Sequence, residues 1–300
     1  MKLYPFDWII IGYSLLMMTL VLFLGRPVSE YRGEVIFYAS MAAIAALIIR
    51  YVDERKNGLL RFIRLIYPGI LYTFFYTATG GTMFLLFDTF FDKQLTSFEA
   101  SLFGVNPTIY IDMNLLNVWL TEIISACYFA YYLMIPGFFI GLFIKKDDEM
   151  IKRGATAISL TFFIGYMLFF LFPIEGPRYF FAGEYVNEVS GPIFRQAVEF
   201  VIANGAVRGG CMPSTHFAVA LVIMIYLLKK YRKLGLVMIP INMGLAIGTV
   251  WGRFHYVSDV FIGGLIGLFA TVFVERYYDI WLNREKRVKQ FRNEMSQRAS

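Results

Sequence analysis

Charged residues, cysteine and histidine are scarce in this sequence. Asp, Glu, Lys and Arg make up only 17% of the 300 residues, too few to cover the water-facing surface of a soluble protein of this size. Its two cysteines, Cys127 and Cys211, are too few for a disulfide framework or a four-ligand zinc site. Its two histidines each carry unusual weight, because histidine is the side chain that titrates near neutral pH.

Apolar and aromatic residues dominate instead. The chain is 58% hydrophobic and 18% aromatic, and its apolar runs recur from end to end, which is typical of an all-α polytopic transmembrane helical bundle. About eight spans are predicted, at 8–24, 35–52, 65–87, 115–144, 155–172, 213–228, 234–251 and 256–274. The bilayer is the expected partner. We infer no nucleic-acid partner, since the net charge of +6 reports topology in a membrane chain.

Lysine and arginine are distributed unequally between the two sides of these spans. Of the 28, 21 fall on the side of the termini and seven on the other side. Positively charged loops stay in the cytoplasm. We therefore expect an integral multi-pass protein with both termini cytoplasmic and with the loops 88–114, 173–212 and 252–255 extracytoplasmic or lumenal. In a prokaryote the membrane would be the cell membrane.

One histidine has a carboxylate partner at helical spacing. His255 and Asp259 are i and i+4, which places the carboxylate beside the imidazole on a helix. If Asp259 accepts the Nδ1 proton, the unprotonated Nε2 is presented as a nucleophile or base. A hydrogen-bonded pair that only joins two helices is the structural alternative.

The other histidine follows a glycine-rich loop at the start of a helix. The loop leads into Pro213, Ser214, Thr215 and His216. Free backbone N–H groups, two hydroxyls and the positive end of a helix dipole together suit a phosphate. His216 stands beside this anion site, in a position to donate a proton.

Three arginines on the same side would complete a phosphate clamp: Arg178, Arg208 and Arg253. Guanidinium groups fit phosphate oxygens through paired hydrogen bonds, whereas interfacial anchoring is the alternative for each. No carboxylate cluster typical of magnesium occurs in the sequence on this side. We therefore predict metal-free chemistry with no cofactor, in which these cations neutralise charge.

A polar stripe recurs at helical spacing in the fourth span and is expected to face the bundle interior. It consists of Glu122, Ser125, Tyr128, Tyr131 and Tyr132. Interhelical hydrogen bonding is the favoured interpretation, with a headgroup pocket as the alternative.

Three segments together resemble the signature motifs of the type 2 phosphatidic acid phosphatase superfamily, which also contains the vanadium haloperoxidases. They are Gly176-Pro177-Arg178, Pro213-Ser214-Thr215-His216 and His255-Tyr256-Val257-Ser258-Asp259. The last motif, together with residues 102–107, is similar to the inositol phosphorylceramide synthase-like, or inositolphosphotransferase, branch. The resemblance covers about 65–275, a six-span catalytic core. It leaves 1–64 as two additional spans with a cytoplasmic loop, and 276–300 as a basic cytoplasmic tail.

The resemblance implies a role for each motif residue. His255 would attack phosphorus, Asp259 would orient it, and His216 would protonate the leaving alcohol. Ser214 and the arginines would hold the non-bridging oxygens.

The chain departs from the common family pattern at three positions. Leu171 stands where the family has a lysine, Tyr179 where it has a proline, and Thr249 where it has an arginine. We expect Arg253 to substitute for that arginine from closer to the nucleophile.

The predicted function is that of an integral-membrane lipid phosphatase or phosphotransferase, acting on a lipid phosphoester or pyrophosphate through a covalent phosphohistidine. Its substrate would be a lipid phosphate or phospholipid. Water as acceptor makes a phosphatase and a polyol or sugar makes a phosphotransferase, and the sequence does not decide between them. The alternative is a non-enzymatic transporter or lipid-binding channel. Transporters gather coupling residues near the midplane, whereas the histidines here map to span ends on one side, which favours the enzyme.

Overall fold

The computed structural model describes residues 3–25 and 30–298, with side chains described as far as Asn283. Within these ranges every regular element is a helix, which confirms the predicted all-α class. The helices in chain order are α1 (Pro5–Leu24), α2 (Arg32–Tyr51), α3 (Gly58–Thr82), α4 (Asp92–Phe103), α5 (Pro107–Asn114), α6 (Val118–Ile144), α7 (Asp148–Leu171), α8 (Pro177–Phe180), α9 (Phe194–Gly205), α10 (Thr215–Lys230), α11 (Arg232–Trp251) and α12 (Val257–Arg298).

Seven helices in the described part of the chain are long and apolar enough to cross a membrane. They are α1, α2, α3, α6, α7, α11 and the portion Val257–Asn283 of α12. The predicted polytopic helical bundle is therefore confirmed. The predicted span at 213–228 corresponds to α10, which has 16 residues. That helix is about 24 Å long, shorter than the roughly 30 Å apolar core of a bilayer.

Asparagine and aspartate side chains define where several helices begin. Asn57, Asn106, Asn117 and Asp147 each accept a backbone N–H from the first turn of α3, α5, α6 and α7 respectively. These caps satisfy donors that a helix start leaves unpaired. The cap at Asn117 makes α6 begin three residues later than its apolar run suggests.

Helix α7 lies at the centre of the bundle. In its most apolar 18-residue stretch, 72% of the residues are buried, against 22% to 44% in the corresponding stretches of the other six spanning helices. It packs against α1, α3, α10 and α12. The ring of Tyr13 in α1 stacks on that of Phe163 with centroids 4.2 Å apart, and the hydroxyls of Tyr72 in α3 and Ser159 are 2.8 Å apart. The two N-terminal helices thus share one aromatic core with the rest of the bundle.

Two glycines allow α12 to lie directly against α10. A Cβ on Gly263 would stand 2.4 Å from the carbonyl oxygen of Ser214, and one on Gly267 would stand 2.5 Å from that of Ala218. Only glycine permits backbones to approach this closely. The contact brings the N-terminal ends of α10 and α12 together, and these ends carry the two histidines.

The opposite end of the bundle is rich in ion pairs. Arg64 of α3 pairs with Asp7 of α1, and both side chains are almost wholly buried. Partly exposed pairs join the neighbouring segments there: Arg61–Asp148, Lys152–Glu54, Arg153–Asp279, Lys229–Glu275 and Lys230–Asp147. The predicted basic tail at 276–300 is helical as far as Arg298, where α12 ends, and its last two residues and its side chains after Asn283 lie outside the described residues.

Candidate active site

The two histidines meet at one end of the bundle. His216 is the second residue of α10 and His255 lies two residues before α12. Their ring centroids are 5.9 Å apart, with the ring planes at 60°. Both line a cavity of about 50 Å³, here called the histidine cavity. Two imidazoles from separate helices therefore face one small space.

Asp259 lies behind His255, as predicted, although His255 itself precedes the first residue of α12. Its Oδ2 is 3.4 Å from Nδ1 of His255 and accepts the backbone N–H of Tyr256 at 2.8 Å. The carboxylate is completely buried in the first turn of α12, where the helix dipole favours negative charge. Its backbone carbonyl accepts the N–H of Ser214 at 2.9 Å, which ties the start of α10 to the same turn.

A cysteine shares this carboxylate. The thiol of Cys211 donates to Oδ2 of Asp259 at 2.9 Å, and its Sγ is 3.7 Å from Nδ1 of His255. Burial, reinforced by the Asp259 carboxylate, raises the pKa of the Cys211 thiol well above its usual range. The thiol is therefore a protonated donor here, and it lies at Nδ1 of His255, the ring nitrogen that faces Asp259.

The two hydroxyls of the predicted anion site are buried at the start of α10. Ser214 is the N-cap residue, and its hydroxyl has no hydrogen-bond partner in the described structure. Thr215 lines a second, larger cavity on the far side of His216. The start of α10 thus holds a buried, unsatisfied hydroxyl two residues before His216.

Arg178 reaches the histidine cavity and shares a carboxylate with a second arginine. Its Nη2 donates to Glu199 at 2.7 Å, while Nη1 is buried and unpaired among the described side chains. Arg195 of α9 pairs with the same Glu199. The guanidinium centres of Arg178 and Arg195 lie 5.9 Å and 5.2 Å from the ring of Phe254, the residue before His255.

Arg195 was not among the predicted site residues. Burial and the nearby charges of Arg178 and Arg253 lower the pKa of the Arg195 guanidinium, against the opposing effect of Glu199. Positive charge is therefore concentrated beside the cavity. The sequence does single out Arg195 to some extent, because it is one of only seven lysines and arginines on this side of the spans.

The other two predicted arginines are engaged elsewhere. Arg208 is 64% exposed and pairs with Glu175, which itself lines the histidine cavity. Arg253 pairs with the buried Asp112 and lies 3.7 Å from the ring centroid of Tyr185. Arg208 thus stands near the rim of the cavity, and Arg253 braces the loop before His255.

Two carboxylates of α4 position the loops of the site. Asp92 accepts the N–H groups of Glu175 and Gly176 at 2.7 Å and 2.9 Å and the hydroxyl of Tyr256 at 2.9 Å. Glu99 accepts the N–H of Ser258 at 2.6 Å. The loop that carries Arg178 and the turn that carries Asp259 are therefore held by one short helix, which no sequence motif indicated.

His216 also lines the larger cavity, of about 340 Å³, here called the tyrosine cavity. Its ring centroid is 4.6 Å from that of Tyr131 and 5.6 Å from that of Tyr128. The predicted polar stripe of the fourth span therefore has two outcomes. Glu122 accepts three backbone N–H groups at the start of α9, which is interhelical hydrogen bonding. The tyrosines of the stripe instead lie around His216.

Comparison with known proteins identifies the family of the chain. A family profile described as the PAP2 superfamily matches residues 93–274, more than half of the chain. A PA-phosphatase related-family protein of Dictyostelium discoideum is 27% identical over 180 residues, which cover 52% of this chain and 32% of that relative. The chain thus corresponds to less than two thirds of the relative's length. No solved structure matches the chain at a significant level. The chain belongs to the PAP2 superfamily.

Proposed function

We propose that the protein is a lipid phosphatase or phosphotransferase that works through a phosphohistidine and needs no metal ion. The observation that carries the proposal is the meeting of His216 and His255 across one cavity, with ring centroids 5.9 Å apart. One imidazole of such a pair attacks phosphorus while the other protonates the leaving oxygen.

His255 is the nucleophile in this proposal. Its Nδ1 faces Asp259, so the neutral ring carries its proton on that side and presents Nε2 as the attacking lone pair. His216, which has no carboxylate within salt-bridge distance among the described residues, is the acid that protonates the departing alcohol. It then deprotonates the acceptor, whose oxygen attacks the phosphorus. The bond between phosphorus and Nε2 of His255 breaks, and the phosphoryl group leaves on the acceptor oxygen.

Positive charge and free donors support phosphate binding. We assign the non-bridging oxygens to Arg178 and Arg195, with Ser214 and Thr215 at the start of α10. Arg208 and Arg253 add positive charge from the rim and from the loop before His255. Guanidinium donors in a partly buried site bind phosphate more strongly than exposed lysines.

The tyrosine cavity supports a lipid substrate. It is mostly apolar and lies between α3, α6, α7 and α10. His216 lines both this cavity and the histidine cavity, where phosphate would bind. The leaving alcohol would depart on that side. Water as acceptor gives a phosphatase. A polyol or sugar acceptor gives a phosphotransferase, as expected for the inositol phosphorylceramide synthase-like branch.

The positive-inside rule supports an extracytoplasmic or lumenal active site. The end of the bundle opposite the histidines carries most of the lysines and arginines, so both termini would be cytoplasmic. In a prokaryote the substrate would lie in the outer leaflet of the cell membrane.

The test is incubation of the purified full chain with a panel of lipid phosphates, lipid pyrophosphates and phospholipids, with and without inositol or sugars. Free phosphate and new lipids are measured by mass spectrometry. We expect turnover that survives chelators. His255→Asn should lower it at least about 10³-fold, and His216→Asn should lower it by about 10² to 10⁴-fold, since both steps need its proton transfer.

The matched control is Asp53→Asn, which removes a carboxylate at the opposite end of the bundle and should leave turnover unchanged. Undiminished activity in the His255 variant would contradict the assignment. Strict dependence on a divalent ion, or flux of an unmodified lipid without phosphate release, would do the same.

A further inference from the structure

Cys211 stands where it can reach both members of the His255–Asp259 pair. The three ligand-type atoms, Sγ, Nδ1 and Oδ2, form a triangle with sides of 2.9, 3.4 and 3.7 Å. All three side chains are buried. The reaction proposed above uses the histidine and the carboxylate but assigns no task to the thiol.

The triangle has the dimensions of one face of a tetrahedral zinc site. Zinc binds sulfur at about 2.3 Å and nitrogen or oxygen at about 2.0 to 2.2 Å, so the ligand atoms of such a site are about 3.3 to 3.6 Å apart. The edges from Nδ1 to Oδ2 and from Nδ1 to Sγ, at 3.4 and 3.7 Å, are within about 0.2 Å of these values, and the edge from Sγ to Oδ2, at 2.9 Å, would open by about 0.6 Å when the thiol proton leaves. Three protein ligands leave a fourth position for water.

Charge and access also fit a divalent cation. A thiolate and a carboxylate together neutralise two positive charges, so a buried complex would carry no net charge. Oδ2 of Asp259, the oxygen of the triangle, accepts the N–H of Tyr256, and Oδ1 is buried and lacks a hydrogen-bond partner in the described residues, so the carboxylate has an unused oxygen beside the ligand oxygen. Cys211 and His255 both line the histidine cavity, which provides the entry path.

We propose that Cys211, His255 and Asp259 form an inhibitory site for a soft divalent cation, Zn²⁺ or Cd²⁺. Binding at Nδ1 moves the single proton of the neutral imidazole to Nε2, and the thiol releases its proton to solvent. The metal then bonds to sulfur, nitrogen and oxygen, and the imidazole has no lone pair left for phosphorus. Cation binding follows from the geometry alone, whereas inhibition rests on the proposed function.

Binding is tested without any enzyme assay. Cd²⁺ is titrated into the full-length Cys127→Ala protein in detergent, and the cadmium–thiolate charge-transfer absorption is followed. We expect one Cd²⁺ per chain and competition by Zn²⁺ but not by Mg²⁺. The Cys211→Ser and Cys211→Ala variants, shown to be folded by their thermal unfolding, should lose the band. A band that survives in both variants, or no band in the parent, would overturn the site.

Inhibition is tested on whichever substrate the lipid panel identifies. Zn²⁺ should lower turnover reversibly, with recovery on adding a chelator, and Cys211→Ser should need at least about tenfold more Zn²⁺ for the same loss. Equal sensitivity in the variant would refute inhibition through this site. Cadmium binding without any lipid turnover would contradict the proposed function and leave the cation site standing.

Discussion

Arg195 and Arg178 share one carboxylate beside the histidine cavity, so the pair retains one net positive charge for an anion. We predict that Arg195→Gln lowers kcat/KM about 10- to 100-fold, since a charge-assisted hydrogen bond to a buried partner contributes about 1.5–3 kcal/mol. Arg195→Lys should recover only part of this loss, because an ammonium cannot span Glu199 and a phosphate oxygen as a planar guanidinium does.

The measurement is steady-state kinetics on the identified lipid, with Arg32→Gln as the matched control. Arg32 begins α2 and is exposed, so its loss should not change kcat/KM. If Arg195→Gln kept full activity while Arg253→Gln lost it, the clamp would depend on Arg253, the arginine expected to substitute for the one that the family pattern has.

The sequence could predict contacts between site residues that are close together along the chain, but not contacts between distant ones. His255 and Asp259 are only four residues apart, so their spacing predicts their pairing, even though His255 lies two residues before α12 begins. Cys211 is 44 residues from His255, and its thiol reaches Asp259 only because α10 packs on α12. Arg195 reaches Phe254 through the placement of α9 against α6. Contacts of this kind depend on packing, which a single sequence does not encode locally.

At the scale of elements, α4 shows how a short helix can position a site. Asp92 and Glu99 lie two turns apart on one face. Asp92 accepts backbone N–H groups from the loop before α8, and Glu99 accepts one from the first turn of α12. Burial raises the pKa of both carboxyls, and for Glu99 the nearby Asp259 adds to the rise. The hydrogen bonds they accept oppose these shifts.

This arrangement predicts a pH-dependent stability. A carboxyl whose pKa is raised on folding binds its proton more tightly in the folded state. Its contribution is therefore fully present below the unfolded pKa, about 4.3 for glutamate, and is lost as pH rises through the folded value. Glu99→Gln keeps an oxygen for the N–H of Ser258 but cannot ionise. We expect the variant to lose less thermal stability than the wild type as pH rises above this point.

Thermal unfolding in detergent, followed by intrinsic tryptophan fluorescence across this pH range, measures the difference. Glu188→Gln is the control, since Glu188 is an exposed carboxylate in the loop after α8. Identical pH slopes for wild type and Glu99→Gln would show that burial of Glu99 costs nothing on ionisation.

Hydropathy predicted the long helices well because transfer free energy accumulates over a run of apolar residues. It missed α4, α5, α8 and α9, whose sequences are short or mixed in polarity. It also extended α3 to 87, although the helix ends at Thr82, because apolar residues continue past the point where the backbone turns. Apolar content indicates that a segment lies in the membrane or in the protein core, but it does not indicate the backbone conformation of that segment.

At the scale of the whole molecule, the two ends of the bundle differ in how their charges are used. The end opposite the histidines pairs many of its lysines and arginines with acids from neighbouring segments, as in Arg61–Asp148 and Lys230–Asp147. Pairing does not weaken the topological signal, because orientation follows the count of lysine and arginine and not the net charge.

Orientation is therefore the last prediction, and it can be tested without knowing the substrate. In the Cys127→Ala background, Lys56→Cys places an exposed thiol at the basic end and Glu188→Cys places one at the histidine end, while Cys211 is buried. A membrane-impermeant maleimide should label Glu188→Cys on intact cells and Lys56→Cys only after lysis. The reverse pattern would put the histidine cavity in the cytoplasm, where the lipid phosphates within reach are those of the inner leaflet.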